Sequence, residues 1–409
     1  MSAAREAFGA RARALAGDLT ALRRRLHAVP EVGLRLPLTQ AVVLDALSPA
    51  VKEAGGALEV TTGAALDSVT VVLHGARPGP VVLLRGDMDA LPLREATGLP
   101  FAADADRMHA CGHDLHTTAL AGAVRLLAEH RENMGGSVVF MFQPGEEGYD
   151  GAGAMLAEGV LDAAGLPVRA AYALHVVADL PAGRCYTRPG PVMAAYGVLD
   201  ATVRGRGGHG GRPHEALDPV PVAMAAATAV QTYTGRRFDA FDPVVVTVGE
   251  FHAGTAPNVI PADARFRAGV RSFSAEATTR LAAELPPLVE QTARAHGLDA
   301  EVTFTTVLPT TVNDPAHAGR FARTAVELFG PDRYEELARP RIGSEDFSRV
   351  LQRVPGAYGY LGAAPPGRDR PSGNHAPTAV FDESVLPDAA LLLAALAWQH
   401  VGPVPSSCP

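Results

Sequence analysis

Three short apolar runs constrain this chain most. "PVVLLRGD" (residues 80–87), "SVVFMFQPGEE" (137–147) and "AAYALHVV" (170–177) are apolar at successive positions rather than at alternate ones. A strand that is apolar on both faces must be covered on both faces. A helix-type segment, "HDLHTTALAGAVRLLAEH", follows the first run and precedes the second. Buried strands separated by helices predict a mainly parallel sheet with helices on either side, an α/β architecture. "VTVVLHG" (69–75) is a fourth strand of this kind.

From about Thr187 the pattern changes. Strand 198–205, helix 220–232, strands 244–251 and 264–273, helix 275–296 and strand 300–307 follow in the order βαββαβ. That is the split βαβ, ferredoxin-like unit. The chain then returns to helices and one strand. A length of 409 residues exceeds one ordinary core. The expected organisation is therefore a catalytic α/β domain over 1–187 and 304–409, interrupted by an inserted domain over 188–303.

Charge and cysteine content exclude several functions. A net charge of −8 without a basic block disfavours a nucleic-acid partner. Three cysteines, Cys111, Cys185 and Cys408, are no disulfide framework, so a reducing, cytoplasmic setting is expected. The longest weakly polar run is read at 221–230, about half a membrane span, so no membrane partner is expected.

Ligands in open α/β sheets gather beyond the carboxyl ends of the strands. There the sequence places Asp87 and Asp89, Glu146 and Glu147, and His175. "MHACGHDLHT" (108–117) brings Cys111 and His113 to the start of a helix, and "SGNHAP" places His375 in a turn. A lone histidine at a strand end is usually structural, paired glutamates in a turn are usually solvated, and a single cysteine usually packs as a small hydrophobe. Four segments converging on one rim outweigh those readings. Carboxylate, imidazole and thiolate together suit zinc, manganese or a similar divalent ion. Adjacent glutamates can divide the work, one binding metal and the other moving protons. "GRGGHG" (205–210) imitates a dinucleotide loop, but Pro213 stands where the phosphate-binding helix should begin. No nucleophile elbow or Walker A sequence occurs.

The segments "RGDMDALPLRE", "MHACGHDLHTTAL", "FQPGEEGYDGAGAML", "ALHV", "GRGGHGGRPHEALDPV", "PNVIPADARFRAGVRSF", "GSEDFS" and "NHAP" occur in the order of one family. The chain resembles the N-acyl-amino-acid amidohydrolases, including hippurate and indoleacetyl-amino-acid hydrolases. These form a branch of the dinuclear-metal carboxypeptidase–aminoacylase superfamily. The resemblance implies a zinc-peptidase-like catalytic domain and an inserted lid and dimerisation domain. It implies two divalent ions (zinc, manganese, cobalt or nickel) held by Cys111 as bridge, His113, Glu147, His175 and His375. It further implies Glu146 as general base, Asp89 as the acid behind the ligands, and His209 as a histidine completing a neighbouring subunit's site. Asn258 and Arg271 would contact the substrate carboxylate, although "GVRSF" departs from the usual residues before that arginine. The implied reaction is hydrolysis of an N-acyl or N-aroyl amino acid to a carboxylate and a free amino acid, in a homodimer or higher oligomer. The alternatives are a dipeptidase or carboxypeptidase at the same dinuclear site, or a metal-binding scaffold without catalysis.

Overall fold

The computed structural model describes residues 2–367 and 371–402; Cys408 lies outside them. The chain divides into two compact units. The first contains residues 1–190, 312–339 and 349–409, and the second contains 191–311 and 340–348.

The first unit is built on an eight-stranded sheet. Across it the strands run Leu58–Thr62, Val69–His74, Gly135–Gln143, Arg77–Asp87, Val168–Val177, Gly356–Gly362, Cys185–Thr187 and Tyr334–Glu336. Four of the seven neighbour pairs are parallel, among them the central ones, and three are antiparallel. The sheet is thus mixed and mainly parallel, and its three central strands are the apolar runs of the sequence. Helix His113–Ala128 buries every residue except Arg125 and Ala128, which a helix does only when it is covered on all sides. Helix Leu386–Val401 packs against it. A Cβ on Gly122 would come 2.8 Å from the Cβ of Ala390, so only glycine allows this approach. The segment Glu383–Val401 is long and apolar enough to cross a membrane, but 72% of it is buried within the fold. This, and not 221–230, is the longest apolar stretch, and it serves as a core helix.

The second unit is a four-stranded antiparallel sheet in the order Val245–Ala253, Asp263–Ser272, Ala195–Arg204, Asp299–Leu308. Strand Ala195–Arg204 alternates buried and half-buried positions, the period of a sheet covered on one face. Helix Ala275–Ala295 buries Ala277, Leu281, Leu285, Val289 and Ala293, one position in four. It runs through Pro286 and Pro287 without ending, because that stripe stays continuous on either side of them. The order βαββαβ is that expected from the sequence. The expected second boundary at 304 falls inside strand Asp299–Leu308, which pairs with Ala195–Arg204 through Leu308. The division lies at 311/312 instead, and residues 340–348 rejoin this unit.

Candidate metal centre

Strand order brings the proposed ligands of the first unit together. Strand Arg77–Asp87 pairs with Gly135–Gln143 on one side and Val168–Val177 on the other, all parallel. Their carboxyl ends therefore deliver Asp89, Glu146, Glu147 and His175 to one rim. Helix His113–Ala128 begins there too. Gly112 precedes it with φ +85°, and a Cβ on it would lie 2.4 Å from Val176 Cγ2. Glycine alone fits between the two ligands of "CGH", and it turns the backbone so that Cys111 and His113 face one centre.

The donor atoms fall into sets whose members all lie within 4.8 Å of one another. One set is Cys111, His113 and His175; another is Cys111, Glu147 and His375. Cys111 belongs to both, as a bridging ligand must. Its Sγ stands 3.4 Å from His175 Nε2 and 3.2 Å from His375 Nε2, and His375 Nε2 stands 3.1 Å from Glu147 Oε1. His113, Glu146 and Glu147 form a further set.

Hydrogen bonds fix which atoms face the centre. His175 Nδ1 donates to the carbonyl of Val176 (2.7 Å), which leaves its Nε2 lone pair toward Cys111. His113 Nδ1 donates to Asp89 Oδ1 (3.3 Å), while its buried Nε2 makes no hydrogen bond among the described residues. Asp89 also accepts the amides of Glu146 at Oδ1 and Glu147 at Oδ2, each at 3.0 Å. One buried carboxylate thus sets a ligand imidazole and the backbone of both glutamates.

Electrostatics suit cations at this centre. Burial pushes His113 down, but Asp87, Cys111 and Asp89 overcome it and hold the imidazole well above its ordinary range. Hydrogen bonds to Cys111 and Glu147 raise His375 to about 10. Burial would raise Glu147, yet His375 and His113 bring it below the usual carboxylate range. In the metal-free chain, protons on two histidines supply the positive charge these acids attract. Divalent ions displace such protons when they bind. His175 is driven the other way, well below its ordinary value, by burial and by His116, and so stays neutral as a ligand should. A thiol, three imidazoles and carboxylates in two sets sharing the sulfur fit a pair of first-row divalent ions.

Sequence reasoning placed Asp87 at the rim with Asp89, and assigned no role to Arg85, His116, Asp114, Arg23 or His27, which with Asp87 form the layer beneath. Asp87 is fully buried, accepting from Arg85 Nη1 at 2.6 Å and from His116 Nδ1 at 2.5 Å. His116 Nε2 accepts the amide of Val176 at 2.8 Å, fixing the strand that carries His175. Asp114, beside His113, accepts from Arg23 Nε at 2.7 Å and His27 Nδ1 at 2.8 Å. "RRRLHAVPE" and "GHDLH" carry these residues, but their pairing across 91 positions has no local signal.

The remaining candidates lie in the second unit. His209 is exposed, in a two-residue strand paired with Val259–Ile260, and its Nδ1 accepts the amide of Gly211 at 3.0 Å. Its proton therefore sits on Nε2. The exposed Asn258 adjoins it, its carbonyl accepting the amide of Gly210 at 2.8 Å. Arg271 donates to the carbonyl of Ile342 at 2.8 Å and lies over the Tyr196 ring at 5.0 Å.

The sequence model of peptidase family M20/M25/M40 matches residues 83–399. The chain is 34% identical over 381 residues to "Thermostable carboxypeptidase 1" of Saccharolobus solfataricus, covering 92% of this chain and 93% of that protein. It is 34% identical over 390 residues to "IAA-amino acid hydrolase ILR1-like 4" of Arabidopsis thaliana, covering 94% and 86%. Among solved structures, the YXEP protein of Bacillus subtilis, described as a dinuclear metal binding peptidase from the M20 family, superposes with a TM-score of 0.78. It is 30% identical, over 94% of this chain and 98% of that one.

Proposed function

The chain belongs to peptidase family M20/M25/M40, a metal-dependent hydrolase of amide bonds, and from that membership and the site we propose that it cleaves N-acyl or N-aroyl amino acids. Cys111, His113, Glu147, His175 and His375 would hold two divalent ions, which when bound would supply Lewis acidity and bring the ionisation of water toward neutral pH. The chain's own residues do the rest. Glu146 takes the proton of the attacking water and delivers it to the leaving amine. Asp89 keeps Glu146, Glu147 and His113 in register. His209 offers its Nε2–H to the oxyanion of the tetrahedral intermediate in a partner subunit's site. Asn258, beside it, engages the substrate carboxylate. Arg271, already bonded within its unit, is the less favoured contact.

The observation that carries this reading is Cys111 shared by two ligand sets, with Glu146 beside a ligand at the same rim. A scaffold would need no second carboxylate there. Support for a dimer comes from the second unit. Strand Val245–Ala253 ends its sheet and is largely exposed, with Phe251 on it and Phe241, four positions before it, also exposed. An uncovered edge with apolar side chains favours pairing with a second copy.

Relatives of equal identity are named for peptides and for acyl amino acids, so a substrate panel decides between them. Metal-reconstituted protein is assayed on N-acetyl, N-benzoyl and indoleacetyl amino acids against unblocked dipeptides. Higher kcat/KM on the acylated set is expected. Preference for dipeptides would replace this reading with the peptidase one.

A further inference from the structure

His375 is unlike the other proposed ligands. Its side chain is 54% exposed, whereas that of Glu147 is 15% exposed and Cys111 and His113 are buried. Its Nδ1 has no hydrogen-bond partner among the described residues, while His113 and His175 each have one. Burial and a second nitrogen contact are the usual means of aiming a ligand imidazole. His375 also sits at φ +69°, one of two non-glycine residues in the left-handed region among those described. A side chain in that backbone state persists only when its surroundings enforce it.

The enforcement comes from the preceding residue. Asn374 Nδ2 donates to the carbonyl of Cys111 and to the carbonyl of Val176, each at 3.1 Å. Its Oδ1 accepts the amide of Ala178 at 2.9 Å. The amide of His375 itself donates to the carbonyl of Ala110 at 2.9 Å. One carboxamide, its donors and acceptor all used, therefore ties together the Cys111 loop, the strand that carries His175 and the turn that carries His375. No other side-chain chemistry of this size offers two donors and an acceptor in one plane.

We propose that Asn374 is a positioning residue that sets His375 against Cys111 and Glu147 before metal arrives, so that one of the two ions depends on it more than the other. The ion held by Cys111, Glu147 and His375 depends on a backbone pose that Asn374 maintains. The ion held by Cys111, His113 and His175 has ligands fixed by Asp89 and by the carbonyl of Val176. Asn374→Ala removes all three contacts. Asn374→Asp keeps shape and the acceptor but turns an oxygen toward two carbonyls.

The inference rests on the two-ion reading, and one experiment separates the two. Metal-free wild type and variants are titrated with Co2+ and followed by absorbance, with melting of the metal-free proteins alongside. Wild type should bind two ions. In either variant one binding step should weaken about 10–100-fold, the usual cost of losing a residue behind a metal ligand, with the other step little changed. In a His375→Ala background, adding Asn374→Ala should weaken that step no further. Fewer than two ions on wild type would overturn the two-ion reading and this proposal with it. Two ions on wild type with unchanged steps in the variants would overturn the proposal alone. So would equal weakening of both steps, additive losses with His375→Ala, or failure of both variants to fold.

Discussion

Replacing Asp89 with asparagine changes one atom and should disturb three contacts. Asp89 is fully buried. It accepts two backbone amides at 3.0 Å and the imidazole of His113 at 3.3 Å. Asparagine must turn its NH2 toward either Glu146 N or Glu147 N, setting donor against donor. An orphaned buried donor costs about 1–3 kcal/mol, and the surviving bonds lose their charge assistance. The total is about 2–4 kcal/mol. In a folding unit of this size that lowers the melting temperature by on the order of 5–10 °C. Because His113 and the glutamates lose their common anchor, metal affinity should also fall about 10–100-fold. Melting of the metal-free protein and a zinc or manganese titration measure the two effects. A melting temperature within about 1 °C of wild type, together with unchanged metal affinity, would refute the role given to Asp89.

Other outcomes follow from the same geometry. His209→Ala should keep both ions and lose about 10²–10³-fold in turnover; mixed with Glu146→Gln it should regain activity through heterodimers, and exchange without recovery would exclude action in trans. Mild peroxide on metal-free protein should modify Cys111 before Cys185, whose thiol burial pushes up to about 12; mass spectrometry finding Cys111 intact in protein whose activity does not return on adding metal would contradict this. Burial lowers His400 to about 4 and also lowers His317, both hydrogen-bonded to Tyr172 Oη at 2.9 and 2.7 Å. The unfolded chain takes up protons on these groups below their ordinary value, and the folded chain does not until a lower pH. Their contribution to stability should therefore fall between about pH 6.5 and 4. Melting of metal-free His400→Gln should show a shallower acid slope there, and an unchanged slope would exclude His400 as a source.

Much of this was legible in the sequence because it is local. The runs at 80–87, 137–143 and 170–177 are apolar on both faces, and the ligands follow directly at their ends. The second unit is legible because strand Ala195–Arg204 and helix Ala275–Ala295 keep clean periods of two and four. Leu58–Thr62 is mostly exposed, and Cys185–Thr187 and Tyr334–Glu336 are three residues long, too short for any pattern. Strand direction at the sheet edge has no compositional mark, so the antiparallel pairs were not foreseen. The helix ending at Val401 is apolar all round and so hides its periodicity. Asn374 was overlooked for another reason. Its partners are backbone groups of Cys111 and Val176, 263 and 198 positions away, and no residue type announces such a bond.

In the proposed mechanism two adjacent carboxylates divide the labour, Glu147 holding metal and Glu146 moving the proton. Glutamine keeps the shape of either side chain but cannot accept a proton. Metal content and turnover of Glu146→Gln and Glu147→Gln, measured side by side, test this most directly. Glu146→Gln should retain its metal and lose about 10²–10⁴-fold in rate, the usual cost of a positioned base. Glu147→Gln should lose metal and recover part of its activity when metal is added in excess. Equal metal loss in the two variants, or near-normal turnover in metal-loaded Glu146→Gln, would mean that the two glutamates do not divide these roles.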